Sequence, residues 1–411
     1  MYSQTTYRTR AIQKPKVNKY FSYLYIFGLF GCYASIKVEG LPSLSVFIFP
    51  VLYAYSLYIF YKVLLKNDVD YFLKFLFFLF GGITLSSLLC YEPLGSLQSI
   101  VYLIFNSIFG YIIYRCYRIN QFLAILLNVM TFALILGFLL LFVNPDLVIY
   151  HDPLERASVI GLPNFKGLFP HKIHAGIYNS IGYVIALYFY RKTEKKKYLI
   201  LSGMFLLAVL GSGSSLAFTA FLSIFLLTPA IGKIRSAIGM KGLMVSIAAL
   251  LSIVIIGYYL NVGAYLLELM GRDPSLTGRT SIWEFGISYF LEHPLFGGGF
   301  DVFFDDNTRS PANALWVLME YYAAPSFHNG YLQILAESGL IGAAPFLILL
   351  FTNMYLVMKA RNEVFIAITL LCIFANFGAA ILIKPNAFFF VFLIYTTLLT
   401  RKPTLQTTKA K

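Results

Sequence analysis

Roughly a dozen stretches of about 20 predominantly apolar residues divide this 411-residue chain, and each has the length that crosses a bilayer as a helix. In hydrocarbon every backbone N–H and C=O must find its partner inside the protein, so such stretches have almost no choice but helix. Windows of this kind lie near 20–36, 43–65, 71–90, 97–114, 121–143 and 173–190, and again near 198–210, 214–230, 242–262, 329–357, 363–383 and 385–400. Only Gly211-Ser212-Gly213-Ser214 separates the short pair 198–210 and 214–230, which predicts a tight hairpin or one broken helix. With 59% hydrophobic and only 12% charged residues, a soluble domain is excluded. The expected fold is all-α: a polytopic membrane protein of about 12 spans with one large outer loop carrying short helices.

Charge placement orients these spans. With both termini inside, 24 of the 32 lysines and arginines fall on the inner side, and eight fall outside: Lys37, Arg156, Lys166, Lys172, Arg272, Arg279, Arg309 and Lys384. Such a bias is the positive-inside rule at work. The formal charge of +14 therefore reports orientation and gives no reason to expect a nucleic-acid partner. The expected division is an inner tail over 1–19 and spans one to nine over 20–262, with an outer loop at about 144–172. A large outer loop over 263–327, spans ten to twelve over 328–400 and an inner tail over 401–411 complete it. The polar, basic start reads as a cytoplasmic tail and not as a cleaved signal. Cys32, Cys90, Cys116 and Cys372 sit in or beside spans, with no spacing that suggests a disulfide or a metal site. No P-loop and no internal repeat is visible, which argues against nucleotide-driven pumping.

Chemistry concentrates in the two outer loops, where all five histidines fall in the loops or at their edges. The large loop carries Thr277-Gly278-Arg279-Thr280-Ser281-Ile282-Trp283 and later Glu292-His293-Pro294-Leu295-Phe296-Gly297-Gly298-Gly299. Ser281 followed by Glu284 predicts a capping box that starts a short helix over 282–292, with Arg279 just before its N-terminus. Unpaired N–H groups there and a guanidinium fork suit a pyrophosphate. The same arginine is equally placed to pair with Glu284 or Asp301 and simply hold the loop.

The second motif reads Ser326-Phe327-His328-Asn329-Gly330-Tyr331-Leu332, then Glu337-Ser338-Gly339-Leu340-Ile341-Gly342. His328 opens a span at the water interface, where an imidazole can serve as general base toward a hydroxyl or, alternatively, as a cap or packing group. Glu337 lies nine residues on, ~13 Å down a helix, so it must face the protein interior or a wet cavity. There it would orient a partner, bind sugar or serve structure. In the first loop, His171 and Lys172 stand where the chain enters the membrane, and Lys172 would share a diphosphate with Arg279 or snorkel to headgroups. Asp305 and Asp306 are adjacent acids with nothing to complete a ligand set, so neither a metal nor another cofactor is expected.

The two motifs resemble the superfamily of O-antigen ligases and O-antigen polymerases, specifically across about 273–342 and loosely elsewhere. The resemblance implies a twelve-span, metal-independent glycosyltransferase of the bacterial inner membrane with a periplasmic site. Its donor would be a glycan on undecaprenyl diphosphate, its acceptor a glycan or lipid A-core, and a chain-length regulator or flippase would be a plausible companion among the membrane lipids. By resemblance, Arg279 matches the loop arginine that holds the diphosphate, and His328 matches the histidine of the H-N motif, with Asn329 beside it at the substrate. Many members, ligases especially, carry an arginine after a small polar run between central spans. Here Gly211-Ser212-Gly213-Ser214-Ser215-Leu216 is followed by none. The segment Gly167-Leu168-Phe169-Pro170-His171-Lys172 is similar to one in the exopolysaccharide-polymerase branch, which favours a polymerase over a ligase or a protein O-glycosyl transferase. A transporter of lipid-linked sugars is the competing class, and it would place charges at midplane along several spans.

Overall fold

In a computed structural model, residues 17–35, 42–64, 70–151, 163–231, 279–319 and 325–401 are described, with the single positions 233, 239 and 242. Helices α1 (Lys19–Leu29), α2 (Cys32–Ser35), α3 (Leu44–Leu64), α4 (Asp70–Leu88), α5 (Pro93–Cys116) and α6 (Ile119–Val143) come first. A short 3-10 turn, Pro145–Leu147, and an isolated bridge between Ile149 and Phe165 follow. Next are α7 (Lys172–Thr193), α8 (Lys196–Gly211) and α9 (Ser215–Ile231). The chain continues with α10 (Arg279–Glu292), α11 (Ala312–Leu318), α12 (Gly330–Ala360), α13 (Glu363–Asn376) and α14 (Phe388–Arg401). Five of the described helices, α3, α4, α5, α6 and α12, are long and apolar enough to cross a membrane. The window 242–262 lies outside the described residues apart from position 242.

Helix boundaries follow local chemistry. Pro93 starts α5, where its missing N–H costs nothing. The Gln121 side chain accepts the Arg118 N–H at 2.8 Å at the start of α6. Asn362 caps α13 through the Phe365 N–H at 3.1 Å. The window 198–210/214–230 resolves into two helices, α8 and α9, divided at Ser212-Gly213-Ser214. Two expected spans are shorter than their apolar windows. The first breaks between α1 and α2 at Gly31, and α13 ends at Asn376, leaving 377–387 outside helix.

Interior and exterior surfaces separate by packing and not by polarity, as a bilayer solvent requires. Only 33% of the most apolar window of α3 and of α4 is buried within the chain, and Phe77 and Phe142 are 81% and 88% exposed. These faces are suited to lipid. Inside, Tyr25 stacks on Phe109 with centroids 3.8 Å apart and donates to Asn106 at 3.1 Å. Polar pairs tie helices together where hydrophobic driving force is absent: the buried Asn353 amide of α12 donates to Thr396 at 2.6 Å and Thr397 at 2.9 Å of α14. Helix α12 is the hub, packed on α4, α14, α13 and α10.

Candidate active site

Helix α10 carries Arg279 and lies along the first half of α12. Its described part begins at Arg279, three residues earlier than the capping box predicts, so Ser281 is inside the helix and not its cap. The correction is local: tertiary packing of Ile282 and Trp283 extends the helix past the polar residues that would otherwise end it. Ile282 joins a second buried cluster with Phe303, Ala312, Leu315, Phe327, Leu332 and Ala336. Trp283 reaches across and donates its indole N–H to the Phe327 carbonyl at 2.8 Å.

That bond lands on the residue before His328. The turn Ser326–Asn329 is tightly specified: the His328 N–H donates to Ser326 Oγ at 3.2 Å, and His328 itself adopts φ 50°, the left-handed region few side chains occupy. Asn329 then caps α12, its Oδ1 accepting the Tyr331 and Leu332 N–H groups at 3.1 and 3.2 Å. His328 is half-buried. Burial, and after it the Arg279 guanidinium, hold its imidazole below the ordinary histidine range. The two residues singled out in separate motifs thus lie within electrostatic reach of one another. A neutral imidazole beside a fixed cation is chemically suited to accept a proton next to a bound anion.

Below the turn, α12 is interrupted. Gly339 adopts φ 58°, ψ −168°, splitting the helix. An unbroken helix would pair the Leu340 and Ile341 N–H groups with the carbonyls of Ala336 and Glu337. Instead Leu340 donates to Pro294 at 2.8 Å and Ile341 to Leu295 at 3.1 Å, while Gly298 donates to Ala336 at 2.9 Å and Gly299 to Glu337 at 2.7 Å. The segment 294–299 is a backbone insert that supplies partners to these four groups. A Cβ on Gly297 would sit 2.6 Å from the Ala336 oxygen, so this approach is open only to glycine.

The insert delivers Asp301 to α12. Glu337 is 2% exposed, with one carboxylate oxygen accepting from the Gln333 side chain and the other from the Asp301 N–H at 3.2 Å. Asp301 in turn accepts from Ser99 at 2.8 Å and from the Lys384 ammonium at 3.1 Å. Burial works against the Lys384 charge, but Asp301, Glu337 and Asp305 outweigh it and raise its pKa. Burial, then Asp301 and Glu92, raise the Asp305 carboxyl. Glu337 therefore stands in the protein interior with both oxygens engaged by protein groups.

The first-loop residues form a separate constellation. His171 caps α7, its Nδ1 accepting the Ile173 N–H at 3.1 Å, and its ring meets Tyr150 edge-on at 4.4 Å. The Lys172 ammonium stands 5.8 Å from the Tyr150 ring centroid, a cation–π geometry, and the residue is only 9% exposed. Packing ties this corner and the main site to the last two helices: Tyr178 of α7 stacks on Phe389 of α14, and the Tyr331 hydroxyl of α12 donates to Ile373 of α13 at 3.1 Å. None of the described contacts joins Lys172 to Arg279 directly. Of the other histidines, His151 pairs with Asp146 at 3.5 Å and His293 stacks on Tyr289.

Residues 198–347, which enclose both Arg279 and His328, match the family model described as O-antigen ligase. This segment of the chain is similar to the O-antigen ligase family. The chain is also 30% identical over 211 residues to the exopolysaccharide production protein ExoQ of Rhizobium meliloti (strain 1021). That alignment covers 47% of this chain and 45% of the relative, so the chain spans about half the length of the curated relative it matches. Lys172 and His171 lie outside the matched segment, whereas the whole Arg279, His328 and Glu337 arrangement lies within it.

Sequence reasoning missed the roles of Gln333 and Lys384, and it offered Asp301 only as a partner for Arg279, where Asp301 instead pairs with Lys384. Lys384 was visible only as a lone cation between two apolar windows, and its partner lies 83 residues away. Asp301 carried one signal, an acid two positions past three glycines, where the backbone can approach another element closely.

Proposed function

We propose that this chain polymerises undecaprenyl-diphosphate-linked oligosaccharide repeat units into O-antigen, capsular or exopolysaccharide at the periplasmic face of the inner membrane. The supporting observation is that the helix carrying Arg279 is bonded through Trp283 to the turn carrying His328, 49 positions on, inside the family-matched segment, with the Arg279 charge felt at the imidazole. The donor presents a diphosphate that gathers negative charge as its bond to the anomeric carbon breaks. Arg279 neutralises that leaving group. The acceptor hydroxyl attacks the anomeric carbon from the opposite face, and its proton passes to the neutral His328 imidazole. A single displacement inverts the anomeric centre. The reaction as read needs no metal and no nucleotide sugar.

The relative's role in exopolysaccharide production favours the polymerase. The family description, O-antigen ligase, favours a second reading in which the acceptor is lipid A-core. The discriminating experiment compares surface glycan in a strain lacking this protein, complemented at matched protein levels with wild type, Arg279→Ala or His328→Ala. Single repeat units on the normal acceptor, with the ladder restored only by wild type, support polymerisation. Full-length glycan accumulating on undecaprenyl diphosphate would instead identify a ligase. Full restoration by both variants would remove Arg279 and His328 from the mechanism.

A further inference from the structure

The peptide unit that precedes His328 is held from two sides. The Phe327 carbonyl accepts the Trp283 indole N–H from α10 at 2.8 Å, and the Phe327 N–H donates to Gln333 Oε1 of α12 at 2.9 Å. The Phe327 ring is fully buried between Phe303 and Phe304, with centroids 5.1 and 4.8 Å away. His328 follows immediately in a left-handed conformation that its own side chain does not favour, so its surroundings must impose it.

Gln333 can act on Phe327 only if its amide faces the right way, and Glu337 decides that. Both Glu337 oxygens accept, one from the Gln333 Nε2 and the other from the Asp301 N–H, so the Gln333 amide turns its Nε2 toward Glu337 and its Oε1 toward the Phe327 N–H. The second Glu337 oxygen is fixed by the Asp301 N–H, and the Asp301 carboxylate by Ser99 and Lys384. The chain of bonds runs without a gap from the Lys384–Asp301 ion pair to the turn. Trp283 closes the other side, four residues along α10 from Arg279 and so on the same helix face.

We propose that Trp283 and Gln333, the latter oriented by Glu337, are positioning residues that clamp the Phe327 peptide and thereby set the His328 imidazole against Arg279. The proposal rests on the glycosyl-transfer reading for its catalytic consequence and stands on geometry for the clamp itself. It assigns Glu337 an orienting task, without direct contact with sugar.

Exchange of the two partners provides the test. Gln333→Glu alone sets two carboxylates against each other. The double variant Gln333→Glu with Glu337→Gln restores every bond: the new carboxylate accepts from Phe327 and from the new amide, whose oxygen accepts from Asp301. Full-length chain in lipid nanodiscs would be assayed with lipid-linked oligosaccharide extracted from the strain lacking it. A displaced catalytic group loses on the order of 100-fold, so Gln333→Glu and Trp283→Phe should lose about that in kcat with KM little changed. The exchange variant should return to within about threefold of wild type on the same reasoning. A second readout is independent of activity: the rate at which diethyl pyrocarbonate modifies His328, read by mass spectrometry with His293 as internal reference. It should rise several-fold in the single variants and return in the exchange. An exchange variant no better than Gln333→Glu by either readout overturns the proposal, as does wild-type kcat and His328 reactivity in Trp283→Phe. If no preparation transfers glycan yet His328 reactivity follows the predicted order, the clamp stands and the functional reading fails.

Discussion

Replacing Gly339 by alanine should cost this protein a large fraction of its stability. At φ 58° and ψ −168° the residue occupies a region essentially reserved for glycine, and forcing another residue there costs about 1–3 kcal/mol. Sterics add to this: a Cβ would sit 2.3 Å from the Leu295 carbonyl carbon and 2.4 Å from its oxygen, both backbone atoms that cannot rotate away. Overpacking of this kind typically costs another ~1–3 kcal/mol. The total, about 2–6 kcal/mol, raises the unfolded-to-folded ratio by at least ~30-fold. Gly81, in α4, is the matched control, since a Cβ there meets nothing within 4 Å. Its replacement by alanine should be neutral or stabilise by up to ~1 kcal/mol. Unfolding of both variants by dodecyl sulfate titration in mixed micelles, followed by far-UV circular dichroism, gives the comparison directly. If Gly339→Ala unfolds at the same detergent fraction as Gly81→Ala, the break in α12 is not needed and the seating of 294–299 against it is wrong.

Other outcomes follow from charge. Burial and Arg279 hold His328 below its usual pKa, so the imidazole remains neutral as pH falls through 6.5, and protonation comes only further into acid. Its contribution to stability is accordingly present above the unfolded value near 6.5 and is lost as pH falls toward the depressed folded value. In Arg279→Gln the midpoint of His328 modification by diethyl pyrocarbonate should move up toward 6.5, and an unmoved midpoint would separate the two residues. Lys384→Met leaves Asp301 facing Glu337 and Asp305 without its cation. With the pair only partly buried, at 32% and 22% exposure, the expected loss is about 1–2 kcal/mol. Adding Asp301→Asn should recover most of it in the same titration, and purely additive losses would deny the coupling. In a variant lacking the four native cysteines, single cysteines at the exposed positions Lys195 and Asp306 should react with impermeant maleimide from opposite sides of the membrane. Labelling from one side would overturn the orientation read from charge.

Much of the helical architecture was legible because hydrocarbon leaves a chain one local solution, so apolar length alone locates α3 to α6 and α12. The start of α12 was legible but its cap was not: the sequence offered His328 as a cap or packing group, whereas Asn329 caps the helix by taking the Tyr331 and Leu332 N–H groups. Less legible were the ends decided by packing. Helix α10 begins before the residues whose chemistry marks a cap, because Ile282 and Trp283 bury against a turn far along the chain. The supporting bonds of the site were invisible for the same reason. Trp283 and Phe327 are 44 residues apart, Asp301 and Glu337 36, and Lys384 and Asp301 83, and no periodicity encodes such pairs.

These long-range bonds share a single local cause. Breaking a spanning helix would ordinarily leave four backbone groups unpaired in a medium that cannot hydrate them, each costing several kcal/mol, about the figure for any orphaned peptide group in hydrocarbon. The break at Gly339 is tolerable because 294–299 supplies two carbonyls and two N–H groups in the register of the lost ones. Only a chain without side chains at the closest point can come that near, which accounts for glycine at 297. Once seated, the insert can lead nowhere but past Glu337, and the backbone N–H of Asp301 arrives two residues after the Gly299 bond. Glu337 then has a partner on its far oxygen and presents the other to Gln333, which faces the turn of His328. The glycines of the two motifs thus act together with the histidine: the kink they permit brings in the groups that hold the His328 turn. A substitution at Gly339 mild enough to leave the chain folded should therefore act on transfer before it acts on substrate affinity, lowering kcat with KM nearly unchanged. A rise in KM alone would place the kink in substrate binding instead.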